Sequence, residues 1–312
     1  MQSSPCPGCG GAVFEPVPDT TVGAHHLARC TGCGHVVTRP EPRESELAAL
    51  YGDEYYGPEH RRFKGPLEGV TTLFRRWRGW YIARRLRPGT VIDIGCGRGL
   101  LLDELRRRGW TVLGTELSDE AAQYAREVLG LPMKVGEFHT LDLPPASADL
   151  VIMWQTFEHM REPHAVLRRV YEVLRPGGTA IVSVPNRESW QARVTGPSWH
   201  HLDVPRHLHH YGESTLRRML ERHGLRVVRV EHFNTEQNPF GWLQSLLNVL
   251  TPSESNALFR SLQNTPKSNG AARRMPLSSL LLVPILAPVS LALSAVESLA
   301  RRGGTVTLWA TK

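Results

Sequence analysis

Four cysteines near the start of the chain have the spacing of a metal site. They form two Cys-x-x-Cys pairs, Cys6 with Cys9 and Cys30 with Cys33, and a glycine follows each pair. Glycine permits the tight turn that directs two thiolates at one ion, and four thiolate ligands suit tetrahedral zinc. Because four protein ligands leave no open coordination position, the sequence predicts a structural zinc ribbon over residues 1–39. Two unrelated turns, or a histidine in place of one cysteine, are the alternatives.

A glycine-rich segment has the composition of a nucleotide site. It reads D-x-G-C-G-x-G and comprises Asp93, Gly95, Cys96, Gly97 and Gly99. Its glycines allow the backbone to approach a ligand closely where a helix begins. The third glycine of a dinucleotide fingerprint would fall at position 100, which is leucine. The segment therefore argues against a nicotinamide pyrophosphate site.

Two acidic residues follow at intervals that suit a nucleoside. Glu116 lies about twenty residues beyond the glycine-rich segment, where a carboxylate can accept hydrogen bonds from both ribose hydroxyls. Glu137 comes later, beside Phe138. The carboxylate could meet an adenine amino group, and the ring could stack on the base.

A third candidate is the histidine-rich segment WHHLDVPRHLHHYG, residues 199–212. It contains five of the fourteen histidines of the chain. A metal site is disfavoured because the cysteines already form a complete one. A general base is favoured because histidine titrates near pH 6.5, with His201 and His207 as candidate bases and Asp203 and Arg206 as positioning groups. A structural loop is the remaining alternative.

Alternating strands and helices must position these residues. Buried or alternating apolar runs predict strands, and amphipathic segments with capping residues predict helices between them. This alternation predicts an α/β fold with a parallel, doubly wound sheet. The predicted strands cover residues 90–96, 111–117, 133–138, 149–154, 178–185, 226–234 and 303–312.

Several segments resemble the motifs of class I S-adenosylmethionine-dependent methyltransferases. They are VIDIGCGRG, GEF, SADLVIMWQTFEHM and VYEVLRPGGTAIVSVPN, in the usual order across residues 90–186. The resemblance implies a Rossmann-like, seven-stranded sheet whose last strand is antiparallel and lies beside the sixth. It also implies S-adenosylmethionine as cofactor, with Asp93 to Gly99 at its methionine end. The other implied contacts are Glu116 for the ribose, Glu137 and Phe138 for the adenine, and Leu117, Trp154 and Gln155 elsewhere on the cofactor.

The same resemblance suggests roles for two further groups. The pair Tyr55–Tyr56 is similar to an aromatic lid over the cofactor, although the two rings could equally close a helix against the domain. His159 follows Glu158 after the fourth strand of the predicted sheet. An E-H pair at this point implies either a residue that shapes the pocket or a catalytic one.

The predicted domains follow the chain in order. They are a zinc ribbon (1–39), a linker with N-terminal helices (40–88), the methyltransferase core (89–234), an apolar helical insertion (235–302) and the last core strand (303–312). The arginine-rich, aromatic segment 73–87 is interpreted as an amphipathic helix packing on the core, or as a surface that contacts phosphate or lipid headgroups.

The insertion contains a charge-free segment, residues 275–296, between Arg273–Arg274 and Arg301–Arg302. It is long enough to cross a bilayer, but one crossing would strand residues 304–312 on the far side. Pro276, Pro284 and Pro288 also break a continuous helix. We therefore expect a bent helical hairpin dipping into a membrane face, or an apolar cap over the acceptor pocket. A buried or dimerising helix pair is the alternative.

The net charge of +7 favours an anionic partner surface. Together with the apolar insertion, it suggests a methyltransferase for a lipid-linked or amphiphilic acceptor, through O-methylation of a saccharide or quinone-like hydroxyl. RNA methylation, with the zinc ribbon and basic helix binding RNA, is the alternative; a non-enzymatic interaction module is disfavoured by the intact glycines and acids. The N-terminal sequence MQSSPCPGCGG lacks the pattern of a secretory signal, so we expect a cytoplasmic protein at the inner face of the membrane.

Overall fold

The computed structural model describes residues 5–43, 45–47, 66–252, 255–263 and 276–312. The chain divides into two compact units. The first, here the ribbon unit, comprises Met1–Glu68, Pro185–Thr215 and Glu231–Val306. The second, here the sheet unit, comprises Gly69–Val184, Leu216–Val230 and Thr307–Lys312. The ribbon unit therefore contains the N-terminal cysteines, the histidine-rich segment and the apolar insertion. The predicted domain boundaries stay a prediction.

The strands and helices of the described residues are numbered here in chain order. The strands are β1 (Phe14–Pro16), β2 (His26–Cys30), β3 (Val36–Arg39), β4 (Thr90–Ile94), β5 (Thr111–Glu116), β6 (Met133–Val135), β7 (Ala148–Trp154), β8 (Leu174–Pro185), β9 (His209–His210), β10 (Arg226–Glu231) and β11 (Thr305–Thr311). The helices are α1 (Pro66–Ala83), α2 (Leu100–Arg106), α3 (Asp119–Gln123), α4 (Pro163–Val173), α5 (Trp190–Thr195), α6 (Glu213–Arg222), α7 (Gln237–Leu250), α8 (Ala257–Leu262) and α9 (Leu277–Leu299).

A seven-stranded sheet has the order β10-β11-β8-β7-β4-β5-β6. The pairs β4–β5, β4–β7, β5–β6 and β7–β8 are parallel. At the end of β11, Lys312 N–H donates to Gly178 O (3.1 Å) and Gly177 N–H donates to Lys312 O (3.2 Å). The end of β11 therefore lies beside the start of β8, so β11 runs antiparallel. This confirms the predicted mostly parallel, seven-stranded sheet.

The central strands are buried because a parallel sheet has helices on both faces. Leu150, Ile152 and Ile181 have no exposed surface and belong to one apolar cluster. Helix α4 buries one side, with Val166, Val170 and Val173 at helical spacing. This core fixes the carboxyl ends of β4, β5 and β7, where the candidate cofactor residues lie.

The ribbon unit contains a second sheet, of order β1-β2-β3-β9. Strands β2 and β3 form an antiparallel hairpin, and β9 pairs with β3 so that Val36 faces His210 and Val37 faces His209. Thr38 N–H also donates to Leu208 O, at 3.0 Å. The histidine-rich segment therefore supplies the fourth strand of the sheet that begins with the cysteine motifs.

Helix α9 is continuous, so the predicted break at the prolines is wrong. Pro284 and Pro288 lie inside the helix. Each removes one N–H and crowds the carbonyl four residues earlier, but the two are four residues apart and strain the same face. The opposite face packs against α7, and this tertiary contact offsets the lost hydrogen bonds. Pro276 precedes the first turn, where no intrahelical partner for an N–H exists.

Candidate functional site

The glycine-rich loop joins β4 to α2. Gly95, Gly97 and Gly99 have φ values of 67°, 55° and 68°, which lie in the left-handed region that favours glycine. A Cβ on Gly95 would lie 2.3 Å from Cγ2 of Thr156, whereas a Cβ on Gly97 would meet nothing closer than Oε1 of Glu116, at 4.0 Å. The loop is thus tightly packed at its start and leaves open space beside the Glu116 carboxylate.

Glu116 ends strand β5 and is buried. Its Oε1 accepts a hydrogen bond from Gly97 N–H, and its Oε2 accepts one from Leu117 N–H at 3.2 Å. Burial raises the pKa of Glu116, and the two N–H groups oppose that shift. A carboxylate has about four acceptor positions, so the side chain retains capacity for the two hydroxyls of a ribose.

Asp93, on β4, is a second buried acid. Burial and, after it, the negative charge of Glu116 raise the pKa of Asp93 to about 8, while the positive charge of Arg78 opposes both. Two buried carboxyl groups close enough to repel one another form a site that favours a cation. S-adenosylmethionine carries a sulfonium and an ammonium group, so these residues fit the positively charged end of that cofactor.

Arg78, on α1, was not among the predicted site residues. Its guanidinium carbon lies 3.9 Å from the ring centroid of Trp154, a cation–π distance. The side chain therefore lies against the end of β7, where its charge also acts on Asp93. The arginine-rich segment 73–87 was the available signal, but nothing in its spacing separates this arginine from its neighbours.

The end of β7 carries two buried donors that lack a partner among the described residues. They are Nε1 of Trp154 and Nε2 of Gln155. Gln155 also has a φ of 54°, a strained conformation for a residue other than glycine. Unsatisfied buried donors and local strain are typical of binding sites; the cofactor contacts of Trp154 and Gln155 themselves stay predictions.

The remaining predicted cofactor residues have varied environments. Sγ of Cys96 lies 3.9 Å from Sδ of Met133 and 3.8 Å from Gly97 O, so this side chain packs between the apolar core and the loop backbone. Leu117 is exposed beside Glu116. Glu137 precedes a short 3-10 turn in which Phe138 is buried. The contacts of these residues with adenine or ribose stay predictions.

His159 lies in a 3-10 turn after β7, Phe157–His159. Its Nε2 is 4.0 Å from Oε1 of Glu158, which is almost fully buried. The pair is therefore positioned by the sheet, and its role in shaping the pocket or in catalysis stays a prediction. Tyr55 and Tyr56 lie outside the described residues.

The four cysteines of the ribbon unit converge. Their sulfur atoms lie within 4.8 Å of one another, and the Sγ atoms of Cys6 and Cys33, and of Cys9 and Cys30, are 3.5 Å apart. Gly8 N–H and Gly11 N–H point at Cys6 and Cys9 sulfurs, as donors to thiolates do. The geometry fits a tetrahedral ion with bonds of about 2.3 Å to sulfur.

The thiols differ in their readiness to ionise. Burial raises the pKa of Cys6. Burial also disfavours the Cys30 thiolate, but hydrogen bonds, chiefly from the Cys33 backbone and the thiols of Cys6 and Cys9, outweigh it and lower the pKa of Cys30 to about 7. Metal binding requires thiolates, and the lowered pKa of Cys30 favours that form.

The histidine-rich segment does not form a single cluster of ring nitrogens. His200 Nδ1 contacts Asn256 Oδ1 (2.8 Å), and His210 Nε2 contacts the Thr38 hydroxyl (3.2 Å). His209 Nδ1 is 3.5 Å from Nε2 of His35. These three histidines therefore have structural partners, mostly within the ribbon sheet.

The two candidate bases face different surroundings. His207 Nδ1 lies 2.9 Å from the His201 carbonyl, which fixes the proton on Nδ1 and leaves Nε2 as the basic nitrogen. Nε2 is 3.9 Å from Oδ2 of Asp203, which also pairs with Arg206 at 2.9 Å. The predicted group of base, acid and arginine is thus brought together around His207.

The carbonyl of His201 holds His207, but the ring of His201 has other contacts. Its ring packs edge-on against Trp199, and its buried Nε2 has no hydrogen-bond partner among the described residues. Burial lowers the pKa of His201 well below its ordinary value, and it lowers the pKa of His207 as well. Both rings are therefore neutral at neutral pH, and of the two only His207 has an oriented acid beside it.

Comparison with known proteins identifies the domain. A family model described as a methyltransferase domain matches residues 59–230, more than half of the chain. The chain belongs to this family. The enzyme class predicted from the sequence is thereby confirmed for the methyltransferase domain.

Several curated relatives are named ubiquinone biosynthesis O-methyltransferases. The chain is 29% identical over 218 residues to a ubiquinone biosynthesis O-methyltransferase from Cupriavidus pinatubonensis, covering 66% of the chain and 85% of that protein. It is 32% identical over 141 residues to a protein of the same name from Xanthomonas campestris pv. campestris, covering 42% of the chain. The match spans 59% of that Xanthomonas relative.

Solved structures share the fold at low identity. A SAM dependent methyltransferase from Archaeoglobus fulgidus superposes with a TM-score of 0.50 at 18% identity, covering 80% of this chain and 96% of that one. The cyclase SpnF superposes with a TM-score of 0.52 at 18% identity, covering 87% and 97%. Since a fold hosts more than one reaction, these likenesses support the architecture alone.

Proposed function

We propose that the protein transfers the methyl group of S-adenosylmethionine to a hydroxyl of an amphiphilic, lipid-linked small molecule, quinone-like or saccharide. The observation that carries the proposal is the buried Asp93–Glu116 pair beside the open backbone at Gly97. The relatives named for ubiquinone biosynthesis support a quinone-like acceptor over a saccharide. They do not favour the RNA alternative.

The residues present would each have a defined task. When bound, S-adenosylmethionine supplies an already activated methyl group for in-line displacement at a sulfonium carbon, so the protein mainly orients the reactants and excludes water. Asp93 would face the ammonium end and Glu116 the ribose hydroxyls. Arg78 and the donors of Trp154 and Gln155 would complete the polar surface around the methionine end.

A hydroxyl acceptor requires a base, and His207 is the best prepared histidine of its segment. Its Nε2 is the basic nitrogen, and burial keeps the ring neutral. Asp203 would stabilise the imidazolium that forms when the proton arrives. We assign Arg206 the task of holding Asp203, and we assign His201 a structural role because its ring lacks an oriented acid.

The cysteine cluster is proposed to hold one structural zinc ion. We further propose that the protein works in the cytoplasm, in peripheral contact with the inner face of the membrane where a lipid-linked acceptor would be found. Zinc content measured by mass spectrometry on the purified protein, and on Cys30→Ser, tests the first point. We expect one zinc per chain in the parent protein and none in the variant; a parent protein purified without zinc would contradict the proposal.

The decisive experiment follows labelled methyl groups. The protein is incubated with radiolabelled S-adenosylmethionine and with separate lipid, small-molecule and RNA fractions. We expect label in the lipid fraction, loss of cofactor binding in Glu116→Gln, and no change in the exposed control Glu127→Gln. Label found in RNA alone, or a parent protein that does not bind the cofactor in calorimetry, would overturn the proposal.

A further inference from the structure

Helix α9 is inverted relative to an ordinary surface helix. Its buried residues are polar or small, namely Ser279, Ser290, Ser294 and Glu297. Eight of its exposed residues are large and apolar, namely Leu277, Leu280, Leu281, Ile285, Val289, Leu291, Val296 and Leu299; Leu282, Val283, Leu286 and Leu293 are only half-buried. A helix on the surface of a protein in water buries its apolar stripe. The exposed face of α9 therefore suits an apolar environment better than it suits water.

Hydrogen bonds at both ends fix the buried stripe. Near the start of α9, the Ser279 hydroxyl is 3.1 Å from the hydroxyl of Thr251, which follows α7. Near its end, the Ser298 hydroxyl donates to His232 O at 3.1 Å and lies 3.3 Å from Asn238 Nδ2, at the start of α7. The two helices are therefore antiparallel and held along their length.

The only charged residue of α9 belongs to this stripe. Oε1 of Glu297 accepts hydrogen bonds from Gln191 Nε2 (2.7 Å) and from Gly304 N–H (3.0 Å), and its side chain has no exposed surface. If α9 rotated about its axis to bury its exposed leucines, the serines would become exposed. The Glu297 carboxylate would also lose its hydrogen bonds to Gln191 and Gly304. The apolar face is thus held outward by bonds that a different packing would lose.

The outward face continues beyond the helix. Leu281 and Ile285 are each 63% exposed, and Val249 and Leu250, at the end of α7 that lies near the start of α9, are 47% and 54% exposed. At the other end of α9, Arg301 and Arg302 are exposed. The outward face of α9 has no acidic side chain, so a long apolar strip ends in two adjacent positive charges.

We propose that this face of α9 lies in the surface of an anionic lipid bilayer, with the helix parallel to the membrane plane. The apolar strip would enter the headgroup and acyl boundary, and the two arginines would meet anionic headgroups. The inference deepens the proposed function, on which it rests for its purpose, because an acceptor anchored in lipid is reached at a bilayer surface.

The same contacts argue against a helix that crosses the bilayer. By length and composition α9 could cross, since its most apolar window has a mean hydropathy of 2.2 and only 17% of that window is buried. However, α7 lies along it and buries Asn238, Gln244 and Asn248 on its packed side. A crossing would carry these amides and their neighbours through hydrocarbon, which is costly.

The test measures how the full-length protein floats with vesicles of phosphatidylethanolamine and phosphatidylglycerol. The double variant Leu281→Gln/Ile285→Gln removes two exposed apolar side chains, and we expect at least about tenfold weaker partitioning, since burying one such side chain is worth about tenfold or more. Val128→Gln, an equally exposed apolar position in the sheet unit, is the control and should float as the parent does. Arg301→Gln/Arg302→Gln should lower binding to these vesicles but not to phosphatidylcholine vesicles.

Three outcomes would overturn the inference: a parent protein that stays unbound, a double variant that floats like the parent, or a parent dimer in solution that the double variant splits. The last would assign the face to a second copy of the chain. Calorimetric binding of S-adenosylmethionine is measured on every variant and should be unchanged. If vesicles bind but no acceptor is methylated, the proposed function fails while the docking surface stands.

Discussion

Asp93, the buried acid of β4 beside the glycine-rich loop, gives the sharpest prediction. Asp93 has a pKa of about 8 in the folded protein, against 3.8 for the ordinary side chain. At a pH between these two pKa values, the folded state binds one more proton than the unfolded chain does. The contribution of Asp93 to stability is therefore fully present below pH 3.8 and is lost as pH rises through about 8.

The size of this loss follows from the linkage relation. Each pH unit within the window removes about 1.4 kcal/mol of unfolding free energy. The asparagine side chain does not titrate, so the stability of Asp93→Asn relative to the parent protein should increase by about 3 kcal/mol between pH 5 and pH 7. The comparison cancels any packing effect of the amide that does not depend on pH.

Urea unfolding of both proteins without cofactor at pH 5, 6 and 7 measures the difference. Asp149→Asn is the matched control, because hydrogen bonds from Thr90 N–H and Arg175 lower the pKa of Asp149 despite partial burial. That carboxyl is ionised in both states across this range, so its variant should show a constant difference. A constant difference for Asp93→Asn would refute the raised pKa and, with it, the cation-binding character of the site.

The stability gained by Asp93→Asn should come with loss of cofactor. In the parent protein, a bound cation favours the ionised carboxylate, so affinity for S-adenosylmethionine should rise with pH up to about 8 and binding should release a proton. Calorimetry in buffers of different ionisation enthalpy measures that release. Asp93 therefore lowers the stability of the cofactor-free protein near neutral pH, while its negative charge favours cofactor binding.

Three further predictions concern single residues. Gly95→Ala should lower the free energy of unfolding by about 2 kcal/mol in urea, because it combines a positive φ with a collision against Thr156. Arg78→Ala should weaken S-adenosylmethionine binding about tenfold in calorimetry through loss of one charged contact, whereas the control Arg76→Ala should not; equal affinities would remove Arg78 from the site. If His207 is the base, kcat/KM should fall as pH falls through a pKa below 6.5, because burial lowers that pKa, and His207→Asn should abolish turnover while cofactor binding persists.

The sheet and the glycine-rich loop could be predicted from the sequence because both have local signatures. A buried strand such as β4 is a continuous apolar run, and the glycines after it are required by the backbone conformations that they adopt. The position of Glu116 beside the loop could be predicted because it is set by one helix and one strand. Such features depend on neighbouring residues in the chain, so a single sequence records them.

Other features depend on residues that are distant in the chain, and these features could not be predicted from the sequence. Strand β9 has two residues, too few for an alternating pattern, and its pairing with β3 becomes visible only in three dimensions. The continuity of α9 through two prolines depends on its contacts with α7, which no rule for isolated helices includes. Arg78 could not be separated from the other arginines of α1 because its partner, Trp154, lies on a strand far along the chain.

The pairing of β3 with β9 has a consequence for synthesis on the ribosome. His35 and His209, which meet across this pair, are 174 positions apart. The edge of β3 therefore stays unpaired while most of the sheet unit is translated, and an open edge is a template for pairing with other chains. An early metal ion would hold the cysteine hairpin closed during that interval, which would give the proposed zinc site a task during synthesis in addition to its proposed structural role.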